Sequence, residues 1–564
     1  MSDSASSSVP EEGVEQGISD LAEPGHESLI PVPVTPKLPL PDLGAPPVAS
    51  LPRHVTKSLI GGTSMLGLGM LIERGTGFLA NILAARFGGT QTFGAYSLAI
   101  STANQISTYA AGQIGSTAAR FSGKYPYGSR GYSTLARALA IVSLVSAALA
   151  AGALWLGAVP LAHLLGKAEL TGLLRWAAIS AVGIILLECA RGFFVGQRRL
   201  AALLLLSVIV GGGMVTLLPT AARMHSPIRM IVLQAIITTS AVVICLLLAG
   251  PLRLHAKRED SDIDVASNPL PRLALAPMLR EIWSFGLVQL AGLIGSNVAG
   301  WWLMTLVARA DTTLVQMSFF AIASQLRNLV GIAPGLLTEG SYAVMADPEG
   351  EAERTPHRVM ALCSYASVSV ALILASIGMM VVPWALTLLY GRTYSPAGMA
   401  VAIGLAIAVV HMGNAPAAAR LTIVSIRSAG VINTVWAVSV AAAAGLFLLH
   451  GGRAWRALAI YFMAHVLSAT LVLLTLRKKD HVPAGMTSLF AFATLSTAIL
   501  VALAALRTTR PEWVVPVTGI MALMSVGSMF VLYLFGRRFG WMPSGSAIGN
   551  LLASVRARLP WRHH

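Results

Sequence analysis

Residues 58–85 read SLIGGTSMLGLGMLIERGTGFLANILAA. The stretch is long enough to cross a bilayer, since about 20 apolar residues suffice. Glu73 and Arg74 nevertheless stand in its middle. A charge at the centre of a spanning helix costs roughly 2.5–3.5 kcal/mol on insertion scales, so it belongs against a protein interior or a wet cavity. Arg327 repeats the pattern midway along another apolar helix. The fold class that follows is an all-α polytopic membrane protein with a polar pathway through it.

Composition agrees. Of 564 residues, 55% are hydrophobic and 11% charged, where a soluble domain carries about 25% charged residues. Apolar stretches between charge and turn clusters give about fourteen transmembrane helices. They lie near 58–85, 91–119, 134–157, 171–195, 200–220, 228–250, 279–307, 313–338, 359–382, 396–417, 429–449, 456–476, 487–506 and 513–535. Pro383, Pro396 and Pro416 make 383–420 the least regular of these segments.

Orientation follows from Lys and Arg, which concentrate in cytoplasmic loops. With the N-terminus inside, the cytoplasmic flanks hold 26 of the 40 basic residues and the opposite flanks 11. Both termini are therefore expected in the cytoplasm. The net charge of +16 reflects this asymmetry and not nucleic-acid binding.

Residues 1–50 hold nine prolines, eight acidic residues and one lysine, Lys37. They cannot bury enough apolar surface to fold. The chain thus divides into a disordered cytoplasmic tail (1–55), an N-lobe of six spans (56–250) and a cytoplasmic linker (251–278). A C-lobe of six spans (279–476), two further spans (477–540) and a basic cytoplasmic tail (541–564) follow. The loops are too short to form an extramembrane catalytic domain. Asp347, Glu349, Glu351 and Glu353 read as a solvated acidic loop.

Ala85–Arg86 followed by Ala99–Ile100 resembles Ala308–Arg309 followed by Ala321–Ile322, with matches about 222 positions apart. Six spans separate the copies, so both keep one orientation, as in a parallel repeat about an axis along the membrane normal. Polar residues fall on the same equivalent helices. Span two carries Asn104, Gln105, Thr108 and Ser116; span seven carries Gln289, Ser296 and Asn297; span eight carries Gln325, Arg327 and Asn328. Unpartnered polar groups are costly in hydrocarbon, so these stripes should meet one another or water. A central cavity between two lobes accounts for their placement, with interhelical hydrogen bonding as the plainer alternative.

Glu73 and Arg74 are neighbours and point about 100° apart on a helix, so they pair poorly with each other. Arg74 and Arg327 facing across the cavity would give it a positive potential suited to phosphate oxygens, which guanidinium binds through two parallel hydrogen bonds. Candidate cavity residues are Arg74, Arg327, Gln105, Asn104, Gln289, Asn297, Gln325 and Asn328. Glu73 is either a proton carrier for coupling or a structural ion pair with Arg74 or Arg327. Arg86, Arg120 and Arg309 near span ends read as snorkelling to headgroups, and Glu188–Arg191 as a local ion pair. Trp301–Trp302 reads as an interfacial anchor or a sugar-stacking surface.

Cys189, Cys245 and Cys363 lie in apolar segments without ligand spacing, and His411, His465 and His563–His564 show none either. No metal constellation, nucleophile triad or phosphate loop is present in the sequence, and no cofactor is expected.

The run Ala85-Arg86-Phe87-Gly88-Gly89-Thr90-Gln91-Thr92-Phe93-Gly94-Ala95-Tyr96 resembles the short outer hairpin of Wzx-type polysaccharide flippases. These belong to the multidrug/oligosaccharidyl-lipid/polysaccharide exporter superfamily. The resemblance extends over residues 58–540. It implies alternating access around a cationic cavity that moves undecaprenyl-diphosphate-linked oligosaccharide across the bacterial inner membrane for surface polysaccharide (lipopolysaccharide or exopolysaccharide) biosynthesis. It also implies a polysaccharide polymerase and chain-length regulator as partners, and a lipid-tail groove at spans thirteen and fourteen. Arg74 and Arg327 occupy helices comparable to those bearing cavity arginines in the lipid II flippase, although Glu73 interrupts the motif. The 1–50 tail departs from the usual short N-terminus. An antiporter of the same superfamily is the alternative; a membrane glycan polymerase or ligase would need longer outer loops.

Overall fold

The computed structural model describes residues 53–249 (126, 128 and 130 excepted), 274–346, 354–448 and 451–541. Most of the expected N-terminal tail and 251–278 linker, the acidic loop and most of the basic C-terminal tail lie outside the described residues.

Every regular element among the described residues is a helix. In chain order they are α1 (Arg53–Ala111), α2 (Ile114–Lys124), α3 (Tyr132–Leu164), α4 (Leu170–Gly196) and α5 (Leu200–Arg223). Next come α6 (Pro227–Ala249), α7 (Leu275–Ala310), α8 (Val315–Val330), α9 (Ile332–Ala346) and α10 (Arg354–Ala385). The last are α11 (Gly398–Val424), α12 (Ile426–Leu448), α13 (Ala454–Arg477), α14 (Met486–Thr509) and α15 (Val514–Arg538).

Ten of these helical segments are individually long and apolar enough to cross a membrane, or eleven when α8 and the start of α9, bent by 50°, count as one. They coincide with the expected spans from 134–157 to 228–250 and from 359–382 to 513–535. The expected spans near 58–85, 91–119 and 279–307 fall in α1, α2 and α7, outside this set, and 313–338 is the bent pair. The protein is an all-helical, multi-pass membrane protein.

The break in α1 is Gly89, at φ 74° and ψ 174°, a conformation that favours glycine. Beyond it the second arm runs back antiparallel to α7. Gly94 lies against Leu314, Thr102 beneath Trp301, and Gly112 against Gly286.

One group packs α2, α3 and α6 around α4, with α5 on α6; another packs α8, α10 and α13 around α11, with α7 on α12. Burial ranks the centres, since the apolar windows of α4 and α11 are 56% and 72% buried, the highest values among the spanning helices. Helices α14 and α15 lie on α10 and α11, while α7 also reaches α2 and α3 in the first group.

Close packing of α2 on α4 rests on small residues four apart. A Cβ at Gly192 would stand 2.0 Å from the Gly115 carbonyl oxygen, and one at Gly196 would stand 2.3 Å from that of Ala119. Small residues at this spacing let helix backbones meet where lipid offers no hydrophobic drive. Gly192→Val is therefore expected to separate the two helices and lower the melting temperature in detergent, with Ala at the solvent-exposed Gly172 as the neutral control.

The proline-rich segment is helical through Pro383, widens into a π turn (Leu386–Tyr390), tightens into a 3₁₀ turn (Arg392–Ala397), and resumes as α11, which runs on past Pro416. Pro383 has no N–H to offer the carbonyl of Met379, four residues earlier. Arg507 of α14 supplies the missing donor at 2.7 Å to the Met379 oxygen and also donates to that of Met380 at 2.9 Å. Such cross-helix donors are how proline survives in hydrocarbon. Arg507→Ala should cost about 2 kcal/mol or more by orphaning the Met379 carbonyl, seen as a lower melting temperature that Lys restores only in part.

Candidate functional site

Between the two groups lies a cavity of about 670 Å³. Glu73, Arg74, Asn81 and Asn104 of α1 line one wall; Gln325 and Asn328 of α8 line the other. A second cavity of about 450 Å³ shares Asn104 and extends to Glu188 and Arg191 of α4. Five of the nine sequence candidates, Glu73, Arg74, Asn104, Gln325 and Asn328, thus converge on one space.

Helical geometry separates the two adjacent charges. Glu73 turns towards α4 and α5, pairing with Arg191 and accepting a 3.4 Å hydrogen bond from Ser207. Arg191 also pairs with Glu188 at 2.5 Å, so the expected local pair becomes a carboxylate–guanidinium–carboxylate bridge. This corrects the expected pairing of Glu73 with Arg74 or Arg327. Arg191 is the better partner because it approaches from a packed neighbouring helix. Arg74, about 100° round the helix, is exposed on the cavity wall and makes no ion pair among the described residues.

Arg327 is half-buried beside the cavity, with its guanidinium 5.4 Å from the Tyr461 ring centre and 3.3 Å from the Oδ1 of cavity-lining Asn328. Three guanidiniums (Arg74, Arg191, Arg327) stand against two carboxylates (Glu73, Glu188) here, leaving the site net cationic when all are ionised. Gln325 contributes a buried Oε1 that finds no donor among the described residues. Gln105 on α1 and Gln289 and Asn297 on α7 are half-buried and outside the linings of these two cavities.

Contacts join the two groups above and below the cavity. At the Gly89 end, Arg86 donates to the Leu388 carbonyl, Tyr394 OH donates to the Ala85 carbonyl at 3.2 Å, and Lys167 Nζ to that of Thr312 at 2.7 Å. At the opposite end Lys124 pairs with Glu281 at 3.3 Å, and the Arg120 guanidinium lies 4.3 Å from the Phe285 ring centre. There Gly112 and Gly286 bring backbones together, a Cβ on Gly286 falling 2.8 Å from the Gly112 oxygen. Arg86 and Arg120 are therefore engaged between helix groups and not simply snorkelling, because each finds a carbonyl or ring within reach. Trp301 likewise donates to Thr102 Oγ1 at 3.3 Å across the seam, so its indole N–H is engaged between helices.

Sequence reading missed Asn81, although it follows Arg74 by two helical turns and shares its face. It also missed the meeting of His411 with His465, for which no spacing gave a signal. No group of three or more metal-ligating side chains occurs among the described residues.

The comparisons bear on fold and family. Residues 59–338, just under half of the chain, match the model of the polysaccharide biosynthesis protein family. No curated protein matches the sequence. Among solved structures, the lipid II flippase MurJ in an inward closed conformation is similar at 13% identity and TM-score 0.55, over 84% of this chain and 98% of that one. An inward-facing multidrug resistance MATE family transporter of the MOP superfamily is similar at 17% identity and TM-score 0.56, over 76% and 98%. The fold is thus shared with MurJ and with this MATE family transporter.

Proposed function

We propose that this chain, matched over residues 59–338 by the polysaccharide biosynthesis protein family and folded like MurJ and the MATE transporters, is a flippase for lipid-diphosphate-linked oligosaccharide. The observation that carries the reading is Arg74, a guanidinium with no ion pair among the described residues, on a cavity lined by α1 and α8. An ionised diphosphate accepts two parallel hydrogen bonds from such a group. Amides at Asn81, Asn104, Gln325 and Asn328 suit sugar hydroxyls, and the unsatisfied Gln325 Oε1 calls for a donor of that kind.

Transport is by alternating access, the lobes parting first at the Lys124–Glu281 end and then at the Gly89 end. In this reading both termini are cytoplasmic, the Gly89 end is periplasmic, and the membrane is the bacterial inner membrane. The substrate's lipid is undecaprenyl, and the product feeds a polysaccharide polymerase with its chain-length regulator.

A second reading, a drug or cation antiporter, is favoured by the carboxylates Glu73 and Glu188 near the cavity. Depleting the protein in cells and labelling each leaflet selectively separates the two. Lipid-linked oligosaccharide accumulating on the cytoplasmic face, with loss of surface polysaccharide, is the expected result. An unchanged leaflet distribution with altered drug sensitivity would overturn the flippase reading.

A further inference from the structure

Behind Arg327 the helices α8, α11, α12 and α13 assemble a cluster that transport of an anion does not by itself require. Arg327 lies over Tyr461; Tyr461 meets His465 edge-on, with centres 4.9 Å apart and an interplanar angle of 88°. His465 then packs on His411 with centres 4.7 Å apart, and the Trp436 ring lies 5.4 Å from His465. Tyr461 and His465 are one turn apart on α13, whereas Arg327, His411 and Trp436 come from α8, α11 and α12, so only the fold brings the two imidazoles together.

Two imidazoles in contact are an unusual filler for a helix core. An aliphatic or aromatic side chain would fill the same volume without a polar nitrogen to satisfy. Accessibility is uneven: His411 is exposed and adjoins cavity-lining Met412, whereas His465 is half-buried behind it. A proton reaching His411 is therefore felt by its partner, whose ring centre lies 4.7 Å away.

The charges facing the pair are few. From α8 comes Arg327, from α13 Tyr461, and from α12 the uncharged Trp436. Among the described residues no carboxylate of α7, α9, α10, α12 or α14 acts on either imidazole. Among the described residues a proton added here meets no compensating anion, and the fixed charge that acts on it is Arg327.

We propose that His411 and His465 form a proton-binding site linked to Arg327, so that one proton on the imidazoles and one anion at Arg327 favour each other. The step consumes only a proton, taken from water onto an imidazole nitrogen lone pair. Protonation turns the site more cationic and so tightens an anion in the adjoining cavity; an anion that masks Arg327 makes protonation easier. The anion half of this linkage rests on the proposed function, whereas the proton site itself does not.

Trp436 provides the readout, because a protonated imidazole quenches a neighbouring indole. The full chain in lipid nanodiscs is titrated between about pH 8 and pH 4, the range in which imidazoles change charge. Trp436→Phe is titrated in parallel, and the difference isolates that indole's emission. A single quenching step is expected, lost in His465→Asn. In Arg327→Gln, where a repelling charge is gone, the midpoint should rise by about one pH unit, a tenfold change in proton affinity. Farnesyl-diphosphate-linked N-acetylglucosamine, whose diphosphate diester keeps its charge over this range, should raise the midpoint in the parent protein but not in Arg327→Gln.

Flat Trp436 emission across the range, or a step unmoved by Arg327→Gln, would overturn the proton site and reduce the cluster to aromatic packing. A step that moves with Arg327→Gln but ignores the diphosphate probe upholds the proton site and counts against the anionic substrate. The melting temperature of each variant shows that it is folded.

Discussion

An Arg74→Ala protein is expected to insert and fold normally and to lose about 10–100-fold of its transport rate. Hydrogen bonds from a charged group contribute about 1.5–3 kcal/mol, and each 1.4 kcal/mol is a factor of ten. Normal folding is expected because Arg74 is exposed on the cavity wall and ion-paired to nothing among the described residues. Arg74→Lys keeps the charge but loses the planar fork, so it should recover part of the rate. Arg327→Ala should act in the same direction with an added loss of stability, since its guanidinium also covers Tyr461. Initial-rate transport in vesicles with matched protein content checks both. Full activity in a properly inserted Arg74→Ala/Arg327→Ala protein would remove the cationic cavity from the account.

Covalent closure of the Lys124–Glu281 contact is expected to abolish transport almost completely. These side chains come from α2 and α7, one on each side of the seam, and their charged atoms are 3.3 Å apart. As an exposed ion pair the contact contributes little by itself, so in the proposed mechanism the two sides part here. Lys124→Cys/Glu281→Cys should therefore transport nearly normally until joined by a short reducible bis-thiosulfonate reagent. Reduction should then restore the rate. Cys189, Cys245 and Cys363 call for the same treatment of the parent protein as control. Undiminished transport in the cross-linked protein would mean that the seam between α2 and α7 need not open.

Much of the fold was legible because hydrocarbon is a severe solvent. Apolar runs bounded by charge predicted ten helices, seven of them to within three residues, while α3, α10 and α11 run five to seven residues further at one end; Gly89 followed by Phe93-Gly94 marked the turn between the arms of α1. The pairwise chemistry was not legible in the same way. Glu73 and Arg191 lie 118 residues apart, and nothing in either local sequence says that α4 and α5 pack on that face of α1. Arg507 reads as a residue near a helix end until Pro383 is seen to orphan the carbonyl it caps. Arg74, Asn104, Gln325 and Asn328 were legible because their depth in apolar segments is itself a physical anomaly. The meeting of His411 with His465 is not legible, because stacking between separate helices leaves no spacing signal in the sequence.

The most direct test is translocation by the purified full chain in proteoliposomes loaded with a fluorescent undecaprenyl-diphosphate-linked oligosaccharide. Reagent added outside reports the fraction of headgroups reaching the outer leaflet with time. The account predicts protein-dependent exposure that Arg74→Ala slows by about 10–100-fold. Exposure at the rate of protein-free liposomes, from protein shown to be folded, would contradict it.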